Sequence, residues 1–253
     1  MSVVEIRGLS IGEGMPKICV PIVEKTKEDI LRTAREIYES VADLAEWRAD
    51  WFQDVFESEA VLDVLKGLRE ILKEKPLLFT FRTKEEGGER EIGVKQYVEL
   101  NETVLKSGNI DLLDVEVFGH PDAMKVLLEV AREHGVKIIG SNHDFIKTPP
   151  KDEIVRRLRY MQSVGVDIAK IAVMPQEEED VQTLLEATRE VSMNSKACPV
   201  VTMSMSSVGA VSRFRGEEFG SVITFGTLQK ASAPGQIHIN ELKKELEKVH
   251  KIL

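Results

Sequence analysis

The feature that most restricts the fold of this chain is a series of eight short apolar runs, separated by roughly thirty residues and closer together near the end. Most runs are almost continuous stretches rich in Val and Ile, which is typical of parallel strands covered on both faces. The runs are residues 17–23, 44–51, 76–82, 112–118, 136–145, 168–175, 199–205 and 221–227. We therefore predict eight parallel β-strands.

Segments with a helical period lie between these runs. Their apolar stripes cover residues 30–41, 61–72, 124–131, 154–161 and 181–188, and a final segment covers residues 240–253. Thr26 is expected to cap the first helix, whereas Gly135 and Gly165 are expected to end two others. Strand-then-helix units of this number and length predict an α/β fold, the (β/α)8 TIM barrel. A doubly wound open sheet is the competitor, but it usually needs only five or six strands.

The remaining organisation of the chain predicts one catalytic domain over residues 1–253. No linker, dinucleotide fingerprint or Walker loop interrupts the series, and residues 1–14 are expected to form a short N-terminal β-hairpin at the bottom of the barrel. A net charge of −9 argues against nucleic acid or an anionic membrane as a partner. The two separated cysteines, the absence of a signal-like N-terminus and the absence of a long apolar span favour a cytoplasmic protein.

Polar side chains fall late in several predicted strands, where a barrel of this kind places its active site. Because successive strand side chains point to opposite faces, we expect one pocket to hold Lys170, His143, Glu46, Arg48 and Arg82. Each residue alone has a simpler interpretation. A lone lysine in an apolar run is more often a surface residue, and a neighbouring glutamate and arginine can form a structural ion pair. Their joint occurrence at strand ends favours a functional site.

These residue types together indicate a chemistry. A lysine in a dry barrel is expected to have a depressed pKa, so that its neutral amine can attack a ketone. His143 is the natural proton shuttle, and Glu86, which follows Glu85, is the carboxylate expected to orient it. Arginines suit a substrate carboxylate. The residues therefore predict a Schiff-base lyase that acts on an anionic keto compound.

Seven stretches spread in order along the chain resemble the type I 3-dehydroquinate dehydratases of the shikimate pathway. They are "EWRAD" (46–50), "FTFRTKEEGG" (79–88), "GSNHDF" (140–145), "AKIAVMP" (169–175), "MSMSSVGAVSRFRGEEFGS" (203–221), "TFGT" (224–227) and "ASAPGQI" (231–237). Any one of them alone is a weak signal, but together they are highly specific.

The resemblance implies a role for each matching residue. Lys170 forms an imine with the ring ketone of 3-dehydroquinate, and His143 removes the C2 proton and then protonates the departing C1 hydroxyl, a syn elimination of water. Glu86 orients His143. The residues expected to contact substrate are Glu46, Arg48, Arg82, Met205, Arg213, Phe225, Ser232 and Gln236, with Arg213 on the carboxylate. The resemblance also implies a homodimer that needs no metal and no organic cofactor.

Residues 230–238, "KASAPGQIH", are expected to form a lid over the site, with Pro234 and Gly235 supplying a bend. The chain departs from the family near the end of the first strand. Some members have a substrate-contacting serine there, whereas this chain has Pro21 and, shortly after it, the negatively charged Glu24.

Three other functions remain open at this point. A class I aldolase also uses a barrel lysine, although the single glycine in "ASAPGQ" disfavours a phosphate loop after the last strand. A metal site could use Glu46, Glu86, His143 and Asp144, but no helical H-E-x-x-H spacing supports it. A barrel that only binds a carboxylate ligand would not need both the lysine and the histidine.

Overall fold

Parallel strands surround one axis in the computed structural model, which describes residues 2–119, 121–194 and 197–253. The strands are β1 (Val4–Ile6), β2 (Leu9–Ile11), β3 (Lys17–Ile22), β4 (Leu44–Arg48), β5 (Leu77–Thr80), β6 (Leu112–Glu116), β7 (Lys137–Asp144), β8 (Ile168–Val173), β9 (Val200–Ser204) and β10 (Ile223–Phe225). The helices are α1 (Lys27–Glu39), α2 (Ser58–Leu72), α3 (Val94–Lys106), α4 (Pro121–His134), α5 (Lys151–Val164), α6 (Glu178–Ser192), α7 (Val211–Phe214), α8 (Gly216–Phe219) and α9 (Ile239–His250).

The sheet has the predicted barrel topology. Strands β3 to β9 pair in parallel in chain order, and β10 pairs with β3. The circle closes between β9 and β10 through a parallel bridge from Val200 to Ser221. The observed strands end one to three residues before the apolar runs do, so Arg82 and Met205 lie just beyond strand ends rather than inside strands.

The alternation of side chains sorts the core into two layers. Inward-facing residues from every barrel strand form a single apolar cluster, which includes Cys19, Leu44, Leu78, Leu112, Ile139, Ile168, Val201 and Ile223. The hairpin of β1 and β2 contributes Val4, Ile6 and Ile11 to the same cluster, so it covers the lower end of the barrel as predicted. Outward-facing strand residues such as Trp47 and Phe79 pack against the helices instead.

Three aspartates at the lower rim hold neighbouring strands in register. Asp43, Asp111 and Asp167 each directly precede an even member of the barrel, namely β4, β6 or β8. Their carboxylates accept the backbone N–H of Ile18 at 2.7 Å, of Leu77 at 2.8 Å and of Ile138 at 2.9 Å, one residue from the preceding strand in each case. These bonds satisfy N–H groups at strand starts that the sheet itself leaves unpaired.

Helix boundaries follow local sequence signals at several ends. Thr26 caps α1, because its Oγ1 accepts the N–H of Asp29 at 3.3 Å, and Gly165 ends α5 in the left-handed conformation with φ of 88°. The apolar periodicity of the sequence did not indicate α3, whose buried face includes the polar Asn101. It also did not resolve the short α7 and α8 after β9. Among the helices of the described residues, none has the length and apolarity needed to cross a bilayer.

Candidate active site

The carboxyl ends of the barrel strands surround a small cavity of about 40 Å³. Ten of the eleven residues that the sequence assigned to the site line this cavity, and Arg213 is the exception. The lining residues are Glu46, Arg48, Arg82, Glu86, Gly87, His143, Phe145, Lys170, Ala172, Met203, Met205, Phe225, Ser232, Ala233 and Gln236. The inward-facing positions of the strands therefore place the predicted side chains around one cavity.

Lys170 lies in the middle of β8, and its ammonium is not alone. Its Nζ donates to Oδ2 of Asp114 on β6 at 3.0 Å, and it lies 4.6 Å from the centre of the Phe225 ring. Lys170 is 4% exposed and Asp114 is 1% exposed. A buried ion pair with Asp114 therefore offsets the cost of removing the lysine charge from water, and the expected neutral amine stays a prediction.

Arg82 links this ion pair to Glu116, the next inward-facing carboxylate on β6. Its guanidinium donates to Oδ1 of Asp114 at 2.8 Å, to Oε1 of Glu116 at 2.8 Å and to Ser141 Oγ at 3.1 Å. Ser141 Oγ in turn donates to Oδ1 of Asp114 at 2.6 Å. Burial alone would raise the pKa of Asp114, but the charges of Arg82 and Lys170 lower it to about 2. Asp114 therefore stays ionised throughout the neutral range.

Arg48 and Glu46 do not pair with each other, so the structural ion pair considered from the sequence is absent. Arg48 instead forms a bidentate pair with the fully buried Asp50, with both N–O distances at 2.8 Å. Glu46 accepts from Thr80 Oγ1 at 2.8 Å. Both side chains are thus fixed in orientation while they still line the cavity.

His143 and Glu86 form the hydrogen-bonded pair that the sequence suggested. Nδ1 of His143 lies 2.9 Å from Oε2 of Glu86, and the same oxygen accepts the backbone N–H of His143 at 2.9 Å. Oε1 of Glu86 accepts from Asn142 Nδ2 at 3.1 Å. Glu86 lies on a 3₁₀ turn after β5, whereas His143 lies near the end of β7, so the pair forms only because the barrel brings these strand ends together.

The charges around this pair keep the imidazole neutral. Burial, followed by the positive charges of Arg82, Lys170 and Arg48, holds the pKa of His143 well below its usual value. Burial also raises the pKa of Glu86, against the opposing charge of Arg82. The N–H groups that donate to both oxygens favour the ionised carboxylate. An ionised Glu86 accepts Nδ1–H and leaves Nε2 of His143 as the free base.

Arg213 lies behind the cavity wall on α7 and is 1% exposed. Its guanidinium donates to the carbonyl oxygen of Phe225 at 3.2 Å and to that of Pro234 at 3.0 Å. Within the described residues its Nε has no hydrogen-bond partner, and no acidic side chain forms an ion pair with it. Burial lowers its pKa to about 10, so the group remains a cation at neutral pH without a compensating negative charge.

The predicted lid segment, residues 230–238, is fixed by an ion pair to the rest of the barrel and by hydrogen bonds within the segment itself. Lys230 Nζ pairs with Glu24 Oε2 at 2.6 Å, which accounts for the charge that the sequence left unexplained beyond β3. Gln236 folds back on Ser232, from which it accepts a backbone N–H at 2.8 Å. Pro21, near the end of the first barrel strand, is buried inside β3 opposite Glu46.

Sequence reasoning missed three carboxylates of this site: Asp114, Glu116 and Asp50. The signal for the first two was available, because Asp114 and Glu116 alternate with apolar residues in "LLDVEVF" and share the inward face of Leu112. Asp50 lies two residues beyond the end of β4, but it continues the alternation of Glu46 and Arg48 in "EWRAD", so a signal existed for it as well. In the described part of the chain, no group of three or more His, Cys, Asp or Glu is arranged to hold a metal ion.

The fold and the cavity define a (β/α)8-barrel protein with an ion-paired lysine at the carboxyl ends of its strands. The family model of type I 3-dehydroquinase matches residues 18–252. A curated 3-dehydroquinate dehydratase of Clostridium novyi is 46% identical over 253 residues, which is 100% of both chains. One of Clostridium botulinum is 50% identical over 248 residues, which is 98% of both chains.

A solved structure shows the same likeness in three dimensions. The type I 3-dehydroquinate dehydratase of Clostridium difficile, described with covalently modified comenic acid, superposes with a TM-score of 0.96 and 47% identity, over 100% of this chain and 99% of that one. The chain belongs to the type I 3-dehydroquinase family. The resemblance noted in the sequence and the expected enzyme class, a hydro-lyase, are thereby confirmed.

Proposed function

We propose that this enzyme converts 3-dehydroquinate to 3-dehydroshikimate by syn elimination of water through a covalent Schiff base on Lys170, with His143 as general acid and base. The observation that carries the proposal is the arrangement of these two groups. A buried amine and a neutral imidazole face one cavity at the carboxyl ends of the barrel strands. A covalent ligand in the relative from Clostridium difficile is in keeping with a nucleophile at this site.

In imine formation one proton of the Lys170 ammonium passes to the oxygen of the ring ketone as the nitrogen adds to the carbonyl carbon. The nitrogen of this carbinolamine then gives a second proton to the hydroxyl, which leaves as water, and a protonated imine results. The carboxylate of Asp114, 3.0 Å from Nζ before reaction, remains beside the nitrogen and offsets the positive charge of the iminium. We therefore add Asp114 to the residues that sequence reasoning assigned to the reaction.

Elimination then runs through His143. Nε2 removes the C2 proton, and the electron pair moves toward the iminium nitrogen, which is the electron sink. The enamine expels the C1 hydroxyl, which takes the same proton from His143 and leaves as water. A second water hydrolyses the conjugated imine, releases 3-dehydroshikimate and restores the Lys170 amine. Glu86 orients the imidazole throughout, because its Oε2 lies 2.9 Å from Nδ1.

Substrate contacts follow from the charges that line the cavity and from Arg213, which lies outside the lining and donates to the lid carbonyl of Pro234. Arg213, buried and without a carboxylate partner among the described residues, is the group that we assign to the substrate carboxylate. Glu46, Arg48 and Arg82 hold the ring hydroxyls and the carboxylate side. The remaining assigned contacts are Met205, Phe225, Ser232 and Gln236, which line the cavity from β9, β10 and the lid segment.

The decisive test traps the imine by reduction. The enzyme is treated with borohydride with and without 3-dehydroquinate, its intact mass is measured, and the modified peptide is mapped. We expect a substrate-dependent adduct on Lys170. Turnover without an adduct would overturn the covalent mechanism and make Lys170 an electrostatic group. The absence of both turnover and an adduct would overturn the proposed function itself.

The lid segment has to move during the reaction. A cavity of about 40 Å³ is far below the roughly 300 Å³ or more of ordinary small-molecule sites, so the ring cannot enter the closed form. Opening breaks the pair between Lys230 and Glu24 and the bond from Arg213 to the carbonyl of Pro234. Closure over bound substrate excludes water and protects the imine from early hydrolysis.

Replacing Gly235 with Ala is expected to impair lid closure. Gly235 has φ of +78°, and a Cβ there would lie 2.1 Å from the carbonyl oxygen of Ser206, which is backbone and cannot move aside easily. We expect kcat/KM for 3-dehydroquinate to fall about 100-fold, a size typical of misplacement by about 1 Å at a reacting centre. Steady-state kinetics would measure it.

Gly108→Ala is the matched control for this variant. Gly108 has a similar φ of +69°, but a Cβ there would meet nothing within 4 Å, and the residue lies between α3 and β6 at the other end of the barrel. Gly108→Ala therefore introduces a similar backbone strain without a clash at the lid segment. Equal losses in both variants would refute the lid assignment, because they would reflect strain alone.

The assembly and setting of the enzyme complete the proposal. The family resemblance supports a homodimer that acts in the cytoplasm on one small-molecule substrate without a metal or organic cofactor. The assignment of residues 1–253 to a single catalytic domain stays a prediction.

A further inference from the structure

Glu86 faces two opposing influences, and their balance decides whether His143 can act as a base. Burial favours the protonated acid, whereas hydrogen bonds from N–H groups favour the carboxylate. A protonated Glu86 would donate to Nδ1 of His143 and force the imidazole proton onto Nε2. The atom that has to abstract the substrate proton would then be blocked. Something in the protein has to hold Glu86 in its ionised form.

Asn142 supplies one of the donors that do so. It precedes His143 on β7, so its side chain points to the outer face of the barrel, where its Nδ2 donates to Oε1 of Glu86 at 3.1 Å. An asparagine amide can present either its NH2 group or its oxygen to a neighbour. Presenting the oxygen would place two acceptors against each other and favour a protonated Glu86.

Arg157 on α5 removes this ambiguity. Its Nη1 donates to Oδ1 of Asn142 at 2.9 Å. Because a guanidinium has only donors, the amide has to turn its oxygen to Arg157 and its NH2 group to Glu86. Arg157 is held in turn by Glu153, one helical turn earlier, with an Nε–Oε1 distance of 2.7 Å. The contacts of Arg157 on α5 thus fix the orientation of the Asn142 amide beside Glu86.

We propose that Asn142 and Arg157 are positioning residues of this enzyme, which keep Glu86 as an acceptor and so select the His143 tautomer with a free Nε2. This inference rests on the proposed function, because it assigns a base to the elimination step. Neither residue touches the cavity. They act through Glu86 on the proton location in His143.

Other charged groups also act on Glu86 and His143, and a test of Asn142 has to leave them unchanged. Arg82 lies 3.6 Å from Glu86 Oε2, and the carboxylates of Glu116 and Asp114 act on Glu86 from β6. Lys170 and Arg48 act on His143 from β8 and β4. None of these groups contacts the Asn142 amide among the described hydrogen bonds, so a change at Asn142 leaves them in place.

Asn142→Asp is the first variant. It is isosteric and can keep its bond to Arg157, but it places an oxygen where the NH2 group faced Glu86. The reactive form needs Glu86 ionised, and a neighbouring acceptor raises the pH at which Glu86 loses its proton. We expect the acid limb of kcat/KM to move to higher pH by about one unit or more. A lower melting temperature with an unchanged pH profile would overturn the proposal.

Arg157→Leu is the second variant, on a helix surface where the fold tolerates change. It frees the amide to rotate, so we expect a shift of the same sign but smaller size. Arg156→Leu is its matched control, since Arg156 also binds Glu153 but makes no bond to Asn142. An equal shift in both arginine variants would refute the role of Arg157, because it would reflect only the lost charge.

A readout that does not depend on turnover separates this inference from the proposed function. Nitrogen-15 NMR of labelled histidine reports which ring nitrogen carries the proton, and loss of the signal in His143→Ala assigns it. We expect Nδ1–H in the native enzyme and a population with Nε2–H in Asn142→Asp. The same tautomer in both would overturn the proposal, whether or not the enzyme dehydrates 3-dehydroquinate.

Discussion

Lys170→Met is expected to abolish dehydration of 3-dehydroquinate, with a fall in kcat on the order of 10⁴-fold or more, the scale of losses when a covalent catalyst is removed. Methionine fills nearly the same volume but has no amine, so neither the imine nor its electron sink can form. Asp114 keeps Arg82 and Ser141 as donors at 2.8 and 2.6 Å, which limits the damage to the fold. Kinetics and borohydride trapping measure the effect.

Noncovalent binding of substrate should survive in this variant. The arginines and the lid segment that we assign to substrate are unchanged, so calorimetric affinity should stay within about tenfold, as expected when the groups that pair with the substrate carboxylate are kept. Lys244→Met, an exposed site on α9, is the control and should retain full activity and the adduct. Measurable turnover in Lys170→Met would exclude the imine as an obligatory intermediate.

His143→Ala should produce the opposite pattern: slow turnover with an imine that accumulates. The Lys170 amine can still attack the ketone, but removal of the C2 proton loses its base, and general acid–base groups typically contribute about 10²–10⁴-fold. The measurement is the mass of the enzyme with substrate, with and without borohydride, alongside kcat. We expect the trapped fraction to rise above that of the native enzyme.

His134→Ala serves as the control for this variant. His134 is exposed at the end of α4, where its Nδ1 lies 2.9 Å from the carbonyl oxygen of Val130, and it is far from the cavity lining. It should behave as the native enzyme does. An intact fold with no detectable imine in His143→Ala would mean that the histidine acts before the covalent step rather than after it.

Lys170→Met and His143→Ala together distinguish a covalent mechanism from an electrostatic one, because only a covalent mechanism predicts an imine that accumulates in His143→Ala and is absent from Lys170→Met.

If Asp114 is the partner that offsets the positive charge of the iminium, the charge that it meets is nearly the same before and after imine formation. Ion pairing at 3.0 Å thus serves both the resting ammonium and the reaction intermediate. A buried lysine without such a partner would have to be neutral at rest, as the sequence alone suggested, and its iminium would be left without a counter-ion.

Much of this site could be read from local sequence, because alternation along a strand depends only on contiguous residues. The parity of Lys170, His143 and Glu46 placed them on inward faces, and the structure puts all three at one cavity. The same rule applied to "LLDVEVF" would have found Asp114. The apolar runs did not fix the strand ends, since each run extends one to three residues past the end of its strand.

The sequence by itself determined the barrel, through the spacing and number of its apolar runs, and the inward set of side chains. Only the tertiary structure decided which of these groups pair. Lys170 and Asp114 are 56 residues apart, and His143 and Glu86 are 57 apart, so their contacts exist only once the strands have closed into a barrel. The proton location in His143 depends on a further contact, from α5 to β7, that no local pattern reports. Periodicity is a property of neighbours in the chain, whereas ion pairs and tautomers are set by neighbours in space.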